Sequence, residues 1–68
     1  MYPNLNAEMA RRGIVALILS ERVGIPYSTL LSKLSGKTSF TVGEAKKIKI
    51  ALGTELSIDE LFASEEVS

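Results

Sequence analysis

The chain has 68 residues, the length of one small domain. It contains no Cys and no His, which excludes disulfide frameworks, zinc fingers, Ser-His-Asp triads and Cys-His nucleophiles. Its eight basic and eight acidic residues cancel, but residues 11–49 carry a net charge of +6 and residues 50–68 a net charge of −5. This distribution fits a phosphate-binding surface or, equally, ordinary charge on exposed helix faces.

Apolar residues make up 46% of the sequence, which is too many for a disordered chain and enough for a small core. The longest apolar run, residues 14–19, is far shorter than the ~20 residues of a membrane span. The first ten residues lack the basic segment and the apolar stretch of a signal peptide. We therefore expect a cytoplasmic-type helical domain that needs neither a cofactor nor a metal.

Glycines separate the first three predicted helices. The first runs from Pro3 towards Gly13, and the second covers about residues 15–23 before Gly24 ends it. A third helix, about residues 26–34, begins with a proline, which the first turn of a helix tolerates. No stretch in this part of the chain alternates between apolar and polar residues as a strand does.

Two capping boxes predict the last two helices. A Thr-x-x-Glu spacing makes Thr41 the cap of a fourth helix that ends near Gly53. A Ser-x-x-Glu spacing at Ser57 opens a short fifth helix. These elements predict one all-α domain over residues 1–62, followed by a frayed acidic tail over residues 63–68.

The junction of the second and third helices is the most specific signal in the sequence. Gly24 permits the left-handed backbone of a tight turn, and Ile25 fills the angle between the helices. With the stretches AEMARRGI, KLSGKTSFT, GEAKKIK and DELF, this junction resembles the lambda-repressor and Cro type of helix-turn-helix domain, particularly the small phage regulators. The resemblance covers about residues 1–62 and implies a five-helix, lambda-repressor-like DNA-binding-domain fold.

The resemblance also implies a way of binding DNA. The third helix would enter the major groove, and the residues facing base edges would be Tyr27, Ser28, Thr29 and Ser32. The groups holding the DNA backbone would be Lys33, Lys37 and the helix start capped by Thr41. Two copies would read a pseudo-palindrome.

The chain departs from this family pattern on one face. Family members usually carry polar residues where this chain has Val15, Leu17, Ile18 and Leu31, and Arg or Lys where it has Ser32. A helical wheel places Leu17 and Ile18 opposite the inward side of the second helix. The third helix has no Arg, Gln or Asn for bidentate contacts to bases. This clustering favours a redesigned DNA-binding scaffold, with natural divergence as the other origin.

Three interpretations of the outward aliphatic side chains stay open, namely a wider core, a homodimer seam and a binding site for a different protein. The residues predicted to contact a partner protein are Val15, Leu17, Ile18, Glu21, Arg22, Tyr27, Ser28 and Leu31. We expect a protein-binding module, most simply an engineered binder. The alternative is a sequence-specific DNA-binding transcriptional regulator of phage repressor type that acts as a dimer.

The remaining charged residues carry no chemistry in this interpretation. Lys46, Lys47 and Lys49 are expected on a solvated helix face, and Arg11 and Arg12 as cations at a helix end. No pair of carboxylates has a pocket-forming context, and the acidic residues lack the spacing of a calcium loop. The sequence therefore predicts no enzyme and no metal site.

Overall fold

A computed structural model describes residues 2–63, which contain five α-helices and no strand. The helices are α1 (Pro3–Arg11), α2 (Ala16–Val23), α3 (Tyr27–Leu34), α4 (Val42–Leu52) and α5 (Ile58–Leu61). The predicted all-α class and the order of elements are confirmed. Of the predicted tail, Ala63 is exposed beyond α5, and residues 64–68 lie outside the described part. Within residues 2–63, no helix combines the length and the apolarity that a membrane crossing requires.

Local sequence sets the ends of these helices. Pro3 begins α1, where its missing N–H is not needed for a helical hydrogen bond. Gly24 ends α2 with a φ of 74°, in the left-handed region that residues with a Cβ rarely adopt. The hydroxyls of Thr41 and Ser57 each accept a hydrogen bond from the backbone N–H three residues later. Both predicted capping boxes are therefore present.

Each helix contributes one fully buried large side chain to a single core. These residues are Leu5, Leu19, Leu30, Ile48 and Leu61. Further buried apolar residues pack with them: Met9, Ile14, Val23, Ile25 and Leu52. Burying one such side chain contributes about 1.5–3 kcal/mol. This buried apolar cluster stabilises the fold of a short chain that has no disulfide.

Three aromatic rings connect distant parts of the chain. Tyr2 lies edge-on to Phe40 and to Phe62, with ring centroids 5.4 and 5.9 Å apart, and the centroids of Phe40 and Phe62 are 4.9 Å apart. Aromatic pairs at such distances stabilise a protein beyond their buried area. The cluster fixes Tyr2, just before α1, against the segment that precedes α4 and against the C-terminal end of α5. It contains no residue of α2 or α3.

Candidate protein-interaction surface

Helix α2 has one buried and one exposed face. Its inward residues are those that the helical wheel predicts: Ala16, which is half-buried, and Leu19, Ser20 and Val23, which are buried. On the opposite side Leu17 is 50% exposed and Ile18 is 38% exposed, and Val15, just before the helix, is 62% exposed. The interpretation that these three residues belong to a wider core is therefore wrong, because their side chains lie at the surface.

Helix α3 adds two more exposed apolar side chains. Tyr27 is 46% exposed and Leu31 is 42% exposed, whereas Leu30 between them is fully buried. Residues four positions apart are neighbours on one side of a helix, so Tyr27 and Leu31 lie together. We call the exposed apolar residues of these two helices, together with Val15 just before α2, the α2–α3 apolar face, which consists of Val15, Leu17, Ile18, Tyr27 and Leu31.

Polar residues border this face, as the sequence predicts. Glu21 and Arg22 are exposed and lie four residues after Leu17 and Ile18, which places each charge next to an aliphatic side chain. Ser28 is also exposed. Neither Glu21 nor Arg22 takes part in a salt bridge within residues 2–63. Both charges are thus available to a binding partner.

The residues that would contact DNA under the alternative are not all exposed at the surface. Thr29 and Lys37 are exposed and Ser32 is half-buried, but Lys33 is only 9% exposed. The Lys33 ammonium donates a hydrogen bond to the Ser39 carbonyl at 2.9 Å and lies 3.1 Å from the Glu44 carboxylate. Lys33 is therefore a structural residue, and its position does not fit the phosphate contact that the resemblance implies.

A carboxylate already occupies the start of α4. The Glu44 carboxylate accepts a hydrogen bond from the Thr41 N–H at 2.9 Å, and the Thr41 hydroxyl accepts one from the Glu44 N–H at 3.1 Å. The Thr41 N–H, followed by the side chain of Lys33, lowers the pKa of Glu44, so this carboxyl is ionised at neutral pH. A DNA phosphate would meet a like charge at this helix start.

Arg12 joins α1 to the end of α4. Its guanidinium donates hydrogen bonds to the carbonyls of Leu52 and Gly53, at the C-terminus of α4. The side chain of Glu8, only 5% exposed, forms salt bridges with both Arg11 and Arg12. Arg12 is thus a helix-end cation as predicted, but the helix that it caps is α4 rather than its own. The role of Glu8 was not among the predictions, although its spacing of three and four residues from the two arginines is typical of ion pairs on a helix.

Lys49 also differs from the prediction of a solvated lysine. Its ammonium donates to the carbonyls of Thr54 and Leu56, at 3.1 and 2.6 Å, and so holds the loop between α4 and α5. Lys46 and Lys47 are exposed as predicted. Four of the eight basic residues, Arg11, Arg12, Lys33 and Lys49, thus bind groups of the domain itself. The net charge of the middle segment overstates the positive charge that its surface presents.

Helix α4 exposes two aliphatic residues that sequence analysis did not single out. Val42 is 69% exposed and Ile50 is 78% exposed. The buried residues of this helix are Ala45, Ile48 and Leu52. Ile50 falls outside that stripe, so a helical wheel of α4 was the signal that could have found it.

No three His, Cys, Asp or Glu side chains cluster as a metal site in the part of the chain that the structure describes. Comparisons with models of protein families, with curated proteins and with solved structures find no match to this chain.

Proposed function

We propose that this chain is a non-enzymatic protein-binding module on a lambda-repressor-like helix-turn-helix scaffold, and that the α2–α3 apolar face binds the partner. The observation that carries this proposal is the exposure of five large apolar side chains, four on the consecutive helices α2 and α3 and one, Val15, just before them. An exposed apolar patch with a polar border is typical of a protein interaction site. Five of the seven exposed large apolar side chains of residues 2–63 belong to this face, which supports a redesigned surface, as in an engineered binder.

The size of the apolar face suits the centre of an interface. A standard interface buries about 800 Å² on each partner, roughly a fifth of the 4302 Å² accessible surface of this chain. Five side chains cannot supply that area alone, so the partner also covers neighbouring polar residues. An apolar centre with a polar border is the usual arrangement in protein complexes. Glu21, Arg22 and Ser28 would form part of that border.

The energetics also favour a protein partner over DNA. About half of each apolar side chain remains to be buried, which contributes about 1 kcal/mol for each residue. Against a phosphate, Leu17 offers neither charge nor a hydrogen bond. Helix α3 lacks the Arg, Asn and Gln side chains that read bases, and Lys33 is engaged inside the domain.

A DNA-binding transcriptional regulator of phage repressor type remains the second candidate. It is favoured by the resemblance and by the exposure of Tyr27, Ser28, Thr29 and Lys37. In that case two copies would associate through the α2 side of the apolar face, Val15, Leu17 and Ile18, because Tyr27 would face the DNA. Fluorescence anisotropy with a random DNA duplex at low salt separates the two functions. A regulator binds and loses affinity steeply with salt, whereas the module shows no binding at roughly tens of micromolar.

A positive test of protein binding uses a displayed library of helical peptides. The library is selected on the wild-type chain and, separately, on the Leu17→Glu variant. We expect the wild type to enrich peptides with an apolar stripe and the Leu17→Glu variant not to enrich them. Binding to the variant would bury the new carboxylate without a counter-charge. Val42→Glu is the matched control, since Val42 is exposed and lies outside the α2–α3 apolar face. Equal enrichment on wild type and Leu17→Glu contradicts the proposal.

A further inference from the structure

An open groove of about 600 Å³ lies between α2 and α4, next to the α2–α3 apolar face. We call it the α2–α4 groove, and the lining residues that matter are Glu21, Arg22, Gly24, Lys47, Ile50 and Ala51. Glu21 and Arg22 also border the α2–α3 apolar face. The groove therefore adjoins that face across these two bordering residues.

The groove has room for an incoming apolar side chain. Gly24 and Ala51 contribute little or no side chain, and a Cβ built at Gly24 meets no atom within 4 Å. Beside them Ile50, at 78%, is more exposed than any other large apolar residue of the part described. Ile50 thus offers an uncovered aliphatic side chain at the edge of this open space.

The charges around the groove are mainly positive. Its lining contains two cations, Arg22 and Lys47, and one anion, Glu21. Between residues 2 and 63, neither cation forms a salt bridge, in contrast to Arg11, Arg12 and Lys33. A partner with carboxylates at this position gains attraction and correct orientation.

The form of the partner follows from what the groove offers. A peptide that binds as an added strand needs a sheet edge, and residues 2–63 contain no strand. A helix satisfies its own backbone groups and needs only a surface that matches its apolar stripe. The groove and the neighbouring apolar face supply side chains of that kind.

We propose that the partner presents an acidic amphipathic helix, which packs an apolar side chain on Ile50 and places carboxylates near Arg22 and Lys47. This inference rests on the proposed function and deepens it. It extends the interface from α2 and α3 onto α4, and it assigns a specificity role to Lys47. A partner with a basic border around its apolar stripe would be rejected by the same charges.

Two synthetic helical peptides test this inference by fluorescence anisotropy. Both are about five turns long with the same leucine stripe, which is flanked by Glu in one peptide and by Lys in the other. We expect the Glu-flanked peptide to bind about tenfold more tightly to the wild type. Ile50→Ser should weaken that binding about tenfold, and Lys47→Glu should reverse the preference between the peptides.

Val42→Ser and Lys46→Glu are the matched controls. Both residues are exposed on α4 outside the groove, so each substitution should change the affinity less than about threefold. Circular dichroism verifies that every variant is folded. Equal binding of the two peptides, no binding of either, or an unchanged affinity of Ile50→Ser overturns the inference.

The library selection distinguishes this failure from failure of the proposed function. If selection depends on Leu17 while Ile50→Ser binds both peptides as the wild type does, the α2–α3 apolar face stands and the groove is refuted. If Leu17→Glu retains the same sequences as the wild type, the proposed function itself is refuted.

Discussion

Replacing Lys33 by Met tests whether this lysine holds the fold or serves a surface. Methionine keeps an unbranched apolar side chain but removes the ammonium, which leaves the Ser39 carbonyl without its donor at 2.9 Å and Glu44 without its cation. A hydrogen bond from a charged group contributes about 1.5–3 kcal/mol. The ion pair with Glu44 adds little because that side chain is partly exposed. The loss of the hydrogen bond to Ser39 should therefore lower the free energy of unfolding by about 2 kcal/mol.

Thermal unfolding followed by circular dichroism measures this loss. In a domain of this size 1 kcal/mol corresponds to about 4–8 °C, so Lys33→Met should lower the Tm by about 10 °C. Lys37→Met is the control, because Lys37 belongs to the same predicted DNA-binding set but is exposed, and its Tm should change by less than about 4 °C. Equal Tm values for the two variants would refute the structural role of Lys33 and restore it as a candidate phosphate ligand.

Three further measurements test other parts of the structure. Leu17→Glu should change the Tm by less than about 4 °C because its side chain is exposed, whereas Leu19→Ala should lower the Tm by at least about 10 °C through loss of core packing. Because the fold lowers the pKa of Glu44, its ionised carboxylate stabilises the domain above about pH 4.5, and this contribution fades as the pH falls further. Urea titrations across that range measure the free energy of unfolding, and the wild type should lose its higher stability relative to Glu44→Gln in acid. A difference in unfolding free energy that stays constant with pH would contradict this role. Gly24→Ala should cost about 1 kcal/mol or more because φ is 74°, while Gly43→Ala, inside α4 with free space around it, should stabilise by about 0.4–1 kcal/mol. Chemical denaturation measures both, and a tolerated Gly24→Ala would refute the left-handed turn.

The helices were predictable because their signals are local. Proline at the start of α1, glycine after α2 and the two capping boxes each act within a few residues of the position that they define. The outward position of Leu17 and Ile18 was predictable for the same reason. The periodicity of one helix is enough to separate its inner face from its outer face.

The internal roles of the basic residues could not be predicted in this way. Arg12 binds carbonyls that are 40 and 41 residues away in the chain, and only the tertiary fold brings these groups together. Lys49 reaches across a loop to the carbonyls of Thr54 and Leu56, and the path of that loop is a tertiary property. A long flexible side chain can bind a distant backbone group without leaving a pattern in the sequence.

These contacts change the meaning of the charge distribution. The +6 of residues 11–49 indicates a DNA-binding surface only if the cations point outwards. Arg12, Lys33 and Lys49 instead bind backbone carbonyls of the domain itself. What remains at the surface around α2 is a mixture of aliphatic side chains and a few charges, which suits a protein partner better than a phosphate backbone.

The affinity of one selected peptide for wild type and for Leu17→Glu tests the central claim most directly. The peptide is taken from the library enriched on the wild-type chain, and the two dissociation constants are measured by fluorescence anisotropy. If the α2–α3 apolar face binds the partner, Leu17→Glu raises the dissociation constant of the peptide by about tenfold or more. The Tm of the variant stays within about 4 °C of that of the wild type. An unchanged affinity in the folded variant would contradict the claim.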